Sequence, residues 1–349
     1  MSTDLELAWF AALCDDDYER LGDPSALRPS SASHCLGIVE EAEAQGFDAV
    51  LLPSGYELGI DSTVFAATMA ATTERIRPLL AIRCGESWPP QLARQLTSLD
   101  EALGGRLMVN IISSDRPGEQ LGGPERYGRT LEVMQLLRQL MAGDPVSFEG
   151  KHYQLDVAAP RVARDHRRVP PLYFGGLSEE AREVAAREAD TYLMWPDTED
   201  QVAAVVEDLS ARAARHGRKL RFGYRVHVIV RETEAEARAA AAELVSAVDD
   251  ATGAAIQARS LDAKSAGVGR QGELRDSSGD DGFVEDHLWT GIGRARSGCG
   301  AAIVGNPEQV TAKIRRYAEL GMESFILSGY PHREECRRFG ELVMPLLRP

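Results

Sequence analysis

The sequence predicts an α/β fold, a single (β/α)8 barrel of the TIM type with insertions, and three observations carry that expectation. Short apolar runs rich in β-branched and aromatic residues alternate with longer segments of helical period, which is the pattern of βαβ units. The alternation recurs eight times along 349 residues without a break in composition, as a closed barrel of parallel strands requires. Four helical segments stop at a glycine, namely Gly46, Gly104, Gly217 and Gly321, where a left-handed C-terminal cap favours the residue without a Cβ.

In chain order the predicted strands cover 7–13, 49–53, 76–83, 107–113, 172–174, 191–195, 222–230 and 324–327. Each is short and dominated by aliphatic or aromatic residues, as strands buried on both faces read. The helices between them cover 33–45, 62–73, 90–103, 126–141, 179–188, 199–216, 234–248 and 307–320, each with an apolar stripe. Two segments break the alternation. Within 142–168, the runs 146–148 and 153–155 flank a Glu-Gly turn and predict a surface β-hairpin inserted between the fourth and fifth units. The stretch 255–286 is polar, rich in Gly, Ser and Asp, and without steady period, so it is read as a mobile loop or lid. Both belong to one domain spanning 1–349.

Composition excludes several function classes. Hydrophobic residues at 44% and charged residues at 27% suit a globular enzyme rather than a disordered or fibrous chain. A formal charge of −15 opposes binding to a nucleic-acid backbone, although a local arginine pair can still hold a small anion. Five scattered cysteines without a CxxC pair favour neither a disulfide framework nor a zinc site, and read as reduced thiols of a cytoplasmic protein. The start of the chain lacks the basic and apolar regions of a secretion signal, and no run reaches 18 apolar residues. Histidines with metal-ligand spacing are missing, as are GxSxG and HExxH motifs, so the chemistry is expected to come from a cofactor.

The six residues Gly267 to Gly272 match GxGxxG, but no strand precedes them and they are read as loop. Pro171 to Glu180, PLYFGGLSEE, runs from a strand through two glycines into Ser178. Its amides and hydroxyl make either a phosphate cradle or an ordinary βα turn with a serine cap. In Phe222 to Val230, period-two alternation puts Arg225 and His227 on one face, with Val226 and Val228 opposed. Pointing into a barrel, the pair suits an anionic ligand, or else a carboxylate for Arg225 and a satisfied core position for His227. His287 and His332 are read as surface loop residues. Gly291 to Gly300 brings Arg294 and Arg296 on a glycine-rich loop, suited to an anion or to solvent. After the last strand, Tyr330 is expected at the catalytic rim, and Pro331 is expected to stop any immediate helix.

Together these stretches resemble the FMNH2-dependent alkanesulfonate monooxygenases of the bacterial luciferase-like superfamily, over nearly the whole chain. The most specific matches are PPLYFGG (170–176), AARHGRKLRFGYRVHVIVRET (213–233), LWTGIGRARSGCGAAIVG (288–305) and ESFILSGYPHREE (323–335). The resemblance implies reduced FMN supplied by a separate NAD(P)H:FMN reductase, molecular oxygen activated on it, and a sulfonate cleaved to aldehyde and sulfite. It places Arg225, His227, Arg296, Tyr330 and Trp195 around the substrate, and Asn110, Tyr127, Gly176, Leu177 and Ser178 on FMN. It also implies a cytoplasmic homo-oligomer, dimer or tetramer, acting on a small anion.

Two departures leave the substrate open. Where the sulfonate enzymes carry a cysteine after the second strand, this chain reads Pro53 to Asp61, PSGYELGID, one residue longer and without cysteine. The first strand ends at Ala12-Leu13-Cys14 rather than in a Pro-Thr-His turn, and Cys84 to Trp88 follows the third. A sulfone or a biosynthetic intermediate therefore stands as an alternative substrate, and a flavin-binding protein without turnover as a second alternative.

Overall fold

The computed structural model describes residues 5–116, 118–249, 265–296 and 298–348. Eight parallel strands form the barrel: β1 (Glu6–Phe10), β2 (Ala49–Leu52), β3 (Arg77–Arg83), β4 (Met108–Ile112), β7 (Leu172–Phe174), β8 (Thr191–Met194), β9 (Arg221–Val230) and β13 (Ser324–Ser328). They follow one another around the ring, and β8 pairs with β9 to close it. Helices cover the outside: α1 (Ala32–Ala44), α2 (Ser62–Thr72), α3 (Pro89–Ala102), α4 (Gly123–Met141), α6 (Glu179–Glu188), α7 (Glu199–Arg215), α8 (Glu234–Leu244) and α10 (Pro307–Glu319). Between α4 and β7 lie the antiparallel pair β5 (Val146–Glu149) and β6 (Gln154–Val157) and the short α5 (Arg161–His166). Among the described residues no helix is long and apolar enough to cross a membrane.

Local chemistry explains the element ends. Ser31 caps α1, Asp61 caps α2, and Thr233 and Asn306 form capping boxes with Glu236 and Gln309 at α8 and α10. Gly46, Gly104, Gly217 and Gly321 follow their helices at φ of 81°, 62°, 67° and 107°, as left-handed caps require.

The barrel interior is layered. At its N-terminal end, the carboxylate of Glu6 accepts hydrogen bonds from Tyr173 and from Ser324 Oγ and meets Arg77. Above it Ala8, Phe10, Ala49, Leu51, Leu79, Met108, Tyr173 and Ile326 pack together. This layer fills the lower barrel, and in such barrels the mouth at the C-terminal strand ends carries the site.

Three regions differ from the sequence expectation. Of the proposed lid, 255–264 lies outside the described residues; the rest holds α9 (Ala266–Asp276) and β10 (Phe283–Glu285). The GxGxxG residues lie inside α9, not in a strand-to-helix turn, so they make no dinucleotide site. β11 (Leu288–Trp289) and β12 (Ala302–Gly305) extend the sheet, β12 running parallel to the upper half of β9. Pro331 does not prevent a helix. It stands at the N-cap of α11 (His332–Leu342), a position that needs no intrahelical N–H. The short α12 (Met344–Leu347) ends the described chain.

Candidate active site

The exits of β4, β7 and β8 enclose a cleft of about 240 Å³. Asn110 reaches it from β4 and Tyr127 from α4. Gly175, Gly176 and Leu177 form its floor before α6. These glycines are geometrically required. A Cβ on Gly175 would stand 2.1 Å from the Leu193 carbonyl oxygen, and Gly176, at φ 146°, would meet Ala181 at 2.7 Å. Tyr192 Oη donates to the Gly176 carbonyl at 2.9 Å, fixing the turn. Ser178 follows as the N-cap of α6, its hydroxyl accepting from Ala181 N at 3.2 Å. Ile111, Leu193, Met194, Val205 and the Trp195 ring supply apolar wall.

The second half of the mouth is charged. Arg225 and His227, two apart on β9, are both buried. Arg225 stacks on Phe10 at 4.6 Å and donates only to the carbonyls of Val226 and Ile326, at 3.1 and 3.4 Å. Arg225 has no ion-paired carboxylate among the described residues, and burial depresses its pKa. His227 Nδ1 lies 2.7 Å from Ser328 Oγ, whereas the buried Nε2 has no partner. Burial, then Arg225 and Arg296, hold the imidazole well below its usual range, so it is neutral. Among the described residues Arg225 lacks a barrel carboxylate, and His227 is satisfied at Nδ1 but not at Nε2.

Arg296 and Tyr330 complete the cluster. Arg296 Nη2 lies 2.7 Å from Asp16, and its Nη1 donates to the Tyr330 hydroxyl, which donates to Asp16 Oδ1 at 3.0 Å. Burial is the largest influence and opposes the Arg296 charge, but Asp16, Tyr330 and Cys299 together outweigh it and hold the guanidinium cationic. Burial pushes the Tyr330 phenol up, keeping it protonated at neutral pH. The Tyr330 ring stacks on His227 at 5.3 Å. Arg294 turns outward instead, donating to the Val248 carbonyl at 2.8 Å.

Trp195 joins the two halves. Its ring packs between Gly267 of α9 and Gly298, where Cβ atoms would lie 3.1 and 3.4 Å away. Gln271 of α9 donates to the Pro196 carbonyl and accepts from Gly300 N at 3.1 Å. Cys299 Sγ then donates to the Arg225 carbonyl at 3.3 Å.

Sequence reasoning missed three groups. Asp16 and Asp17 sit in an acidic run that looks solvated, yet Asp17 is fully buried, bonding His34 Nε2 at 2.9 Å and accepting from His332 N at 2.9 Å. His332 is no surface residue. It is buried at the start of α11, stacked on Phe10 at 5.4 Å, with Nδ1 unpartnered. The signal available was position: acids directly after a buried strand of a barrel lie at its mouth. His287 is half-buried, its Nδ1 3.2 Å from the Val304 carbonyl oxygen. Burial pushes Cys14 and Cys84 up to about 12, so neither offers a thiolate at neutral pH in place of the missing cysteine.

Comparison with known proteins agrees with this architecture. Residues 17–324 match the family model described as luciferase-like monooxygenase. A sulfoquinovose monooxygenase of Novosphingobium aromaticivorans is 57% identical, covering 97% of this chain and 96% of the relative. Another, from Agrobacterium fabrum, is 47% identical over 98% and 90%. Among solved structures, a riboflavin lyase with modified FMN and riboflavin superposes with TM-score 0.77 at 17% identity, over 99% and 91% of the two chains. The chain belongs to the luciferase-like monooxygenase family and is a monooxygenase built on that family's barrel.

Proposed function

We propose that this enzyme is the oxygenase of a two-component system, receiving reduced FMN from a separate NAD(P)H-dependent reductase and releasing hydrogensulfite from a sulfonated hexose. The relatives named sulfoquinovose monooxygenases favour that substrate over a simple alkanesulfonate. The observation that carries the reading is Arg225, a buried cation without a carboxylate, beside a buried imidazole nitrogen without a partner. Such a site is costly empty and suits a small anion.

The cleft fits FMN on its own geometry. The glycine turn brings bare backbone to the cleft, the N-terminus of α6 favours a phosphate, and the apolar wall suits a flat ring system. Asn110, Tyr127, Gly176, Leu177 and Ser178 would hold it. Bound there, reduced FMN supplies the two electrons that activate oxygen.

The chain's own groups do the rest. Arg225 and Arg296 orient the sulfonate through forked N–H donors and stabilise negative charge as the carbon–sulfur bond breaks. Neither changes protonation. Tyr330, protonated and bonded to Asp16 and Arg296, stands ready to deliver a proton, and neutral His227 to accept one. Trp195 and α9 cover the cleft and exclude water. The balance is R–CH2–SO3⁻ + O2 + FMNH2 → R–CHO + HSO3⁻ + FMN + H2O. Purified protein mixed with photoreduced FMN, oxygen and a panel of sulfonates tests the reading. Sulfite from the sulfonated hexose supports it, and no sulfite from any member refutes it.

A further inference from the structure

Arg83 closes β3 on the side of the mouth shared with β2 and β4. Leu79, four residues earlier, lies in the barrel interior, so the alternation turns Arg83 inward at the rim. Its side chain is 4% exposed, yet its donors are barely used. Nη1 and Nη2 reach only the carbonyls of Asp115 and Ser54, at 3.5 and 3.4 Å. The buried Nε makes no hydrogen bond, although Glu86 Oε1 lies 3.3 Å away. A guanidinium so deeply buried and so loosely bonded is poised for a better partner.

Glu86 stands beside it, 39% exposed, on a turn set by Gly85 at φ 95°, where a Cβ would meet Arg129 at 2.9 Å. The location borders the cleft. Arg83 pairs in register with Ile112, which lines the cleft. The half-buried Cys14 thiol, just past the first strand, feels the charges of both Arg83 and Arg296. Arg116 and Asp61 are the other charges acting on Glu86.

We propose that Arg83 and Glu86 form a hydroxyl-reading subsite for a polyhydroxylated sulfonate, an inference that rests on the sulfonate reading above. The Arg83 N–H groups donate to one hydroxyl oxygen and the Glu86 carboxylate accepts from a neighbouring hydroxyl, while the sulfonate lies on Arg225 and Arg296. A simple alkanesulfonate offers nothing to either group and leaves Arg83 unsatisfied, which is how polar sites discriminate. The Cys84 to Trp88 loop, where this chain departs from the alkanesulfonate pattern, supplies Glu86.

Glu86→Gln and Arg83→Lys test the subsite in the full chain with reduced FMN. Glu86 is partly exposed, so its variant keeps the fold, which a thermal melt checks. The expected result is a KM for the sulfonated hexose raised about tenfold or more with kcat changed far less, a loss of uniform binding. The inhibition constant of a hydroxyl-free alkanesulfonate is expected to move less than about twofold. A KM unchanged in both variants, or an inhibition constant rising in parallel, overturns the subsite. If the wild-type enzyme releases no sulfite, the sulfonate reading itself fails and the subsite falls with it.

Discussion

On one side of the barrel mouth the exits of β4, β7 and β8 offer glycine, backbone amides and apolar wall. On the other, β1, β9, β13 and the loop between β11 and β12 bring together two guanidiniums, two buried imidazoles and a carboxylate. The difference teaches a division of labour. On the proposed reading a flat, large cofactor would be held by shape, which costs little when it leaves. A small anion would be held by charge, with Arg225 buried without a carboxylate among the described residues and Arg296 held in place by Asp16.

The charged half should therefore be the more fragile. Asp16→Asn leaves Arg296 buried without its counter-ion, and urea denaturation should show a loss of about 3–5 kcal/mol. A loss under 1 kcal/mol would mean that the pair is solvated. Arg225→Ala should lower kcat/KM for the sulfonate by about 10²–10³-fold while FMN still binds; equal losses of both would erase the distinction between the halves.

The glycine-lined half should answer to shape. Gly176→Ala forces a Cβ against Ala181 in a conformation that disfavours side chains, a strain of about 1–3 kcal/mol. Fluorescence titration should show weaker FMN binding with the sulfonate inhibition constant retained. Acid should separate the halves again. His227 and His332 are both held neutral, well below the usual imidazole value of 6.5. Their contribution to stability is complete above that value and is lost as pH falls below it. His227→Gln should flatten the decline in urea midpoint below pH 6.5, and an unchanged slope would count against a buried neutral imidazole. Smallest of all, Ser178→Ala removes one cap from α6 and should cost about 1 kcal/mol in thermal unfolding.

The two halves also differed in how well the sequence announced them. The glycine turn was legible because a Cβ at Gly175 or Gly176 is impossible, and that constraint is written in residue identity. Arg225 and His227 were legible through strand alternation. Asp16, Asp17 and His332 were not, because acids after a strand and a histidine at a helix start carry no periodicity, and only the closing of β1 against β13 brings them together. The barrel strands showed as apolar runs, whereas β12 was hidden in a short Ala-Ile-Val-Gly stretch. α9 was hidden because its three glycines and scattered charges leave no apolar stripe.

The most direct test is a crystal structure with FMN and an unreactive sulfonated sugar. The flavin ring is expected in the cleft beside Trp195 and the sulfonate oxygens within hydrogen-bond reach of Arg225 and Arg296. A sulfonate bound elsewhere, with Arg225 still lacking a partner, would contradict the proposed function.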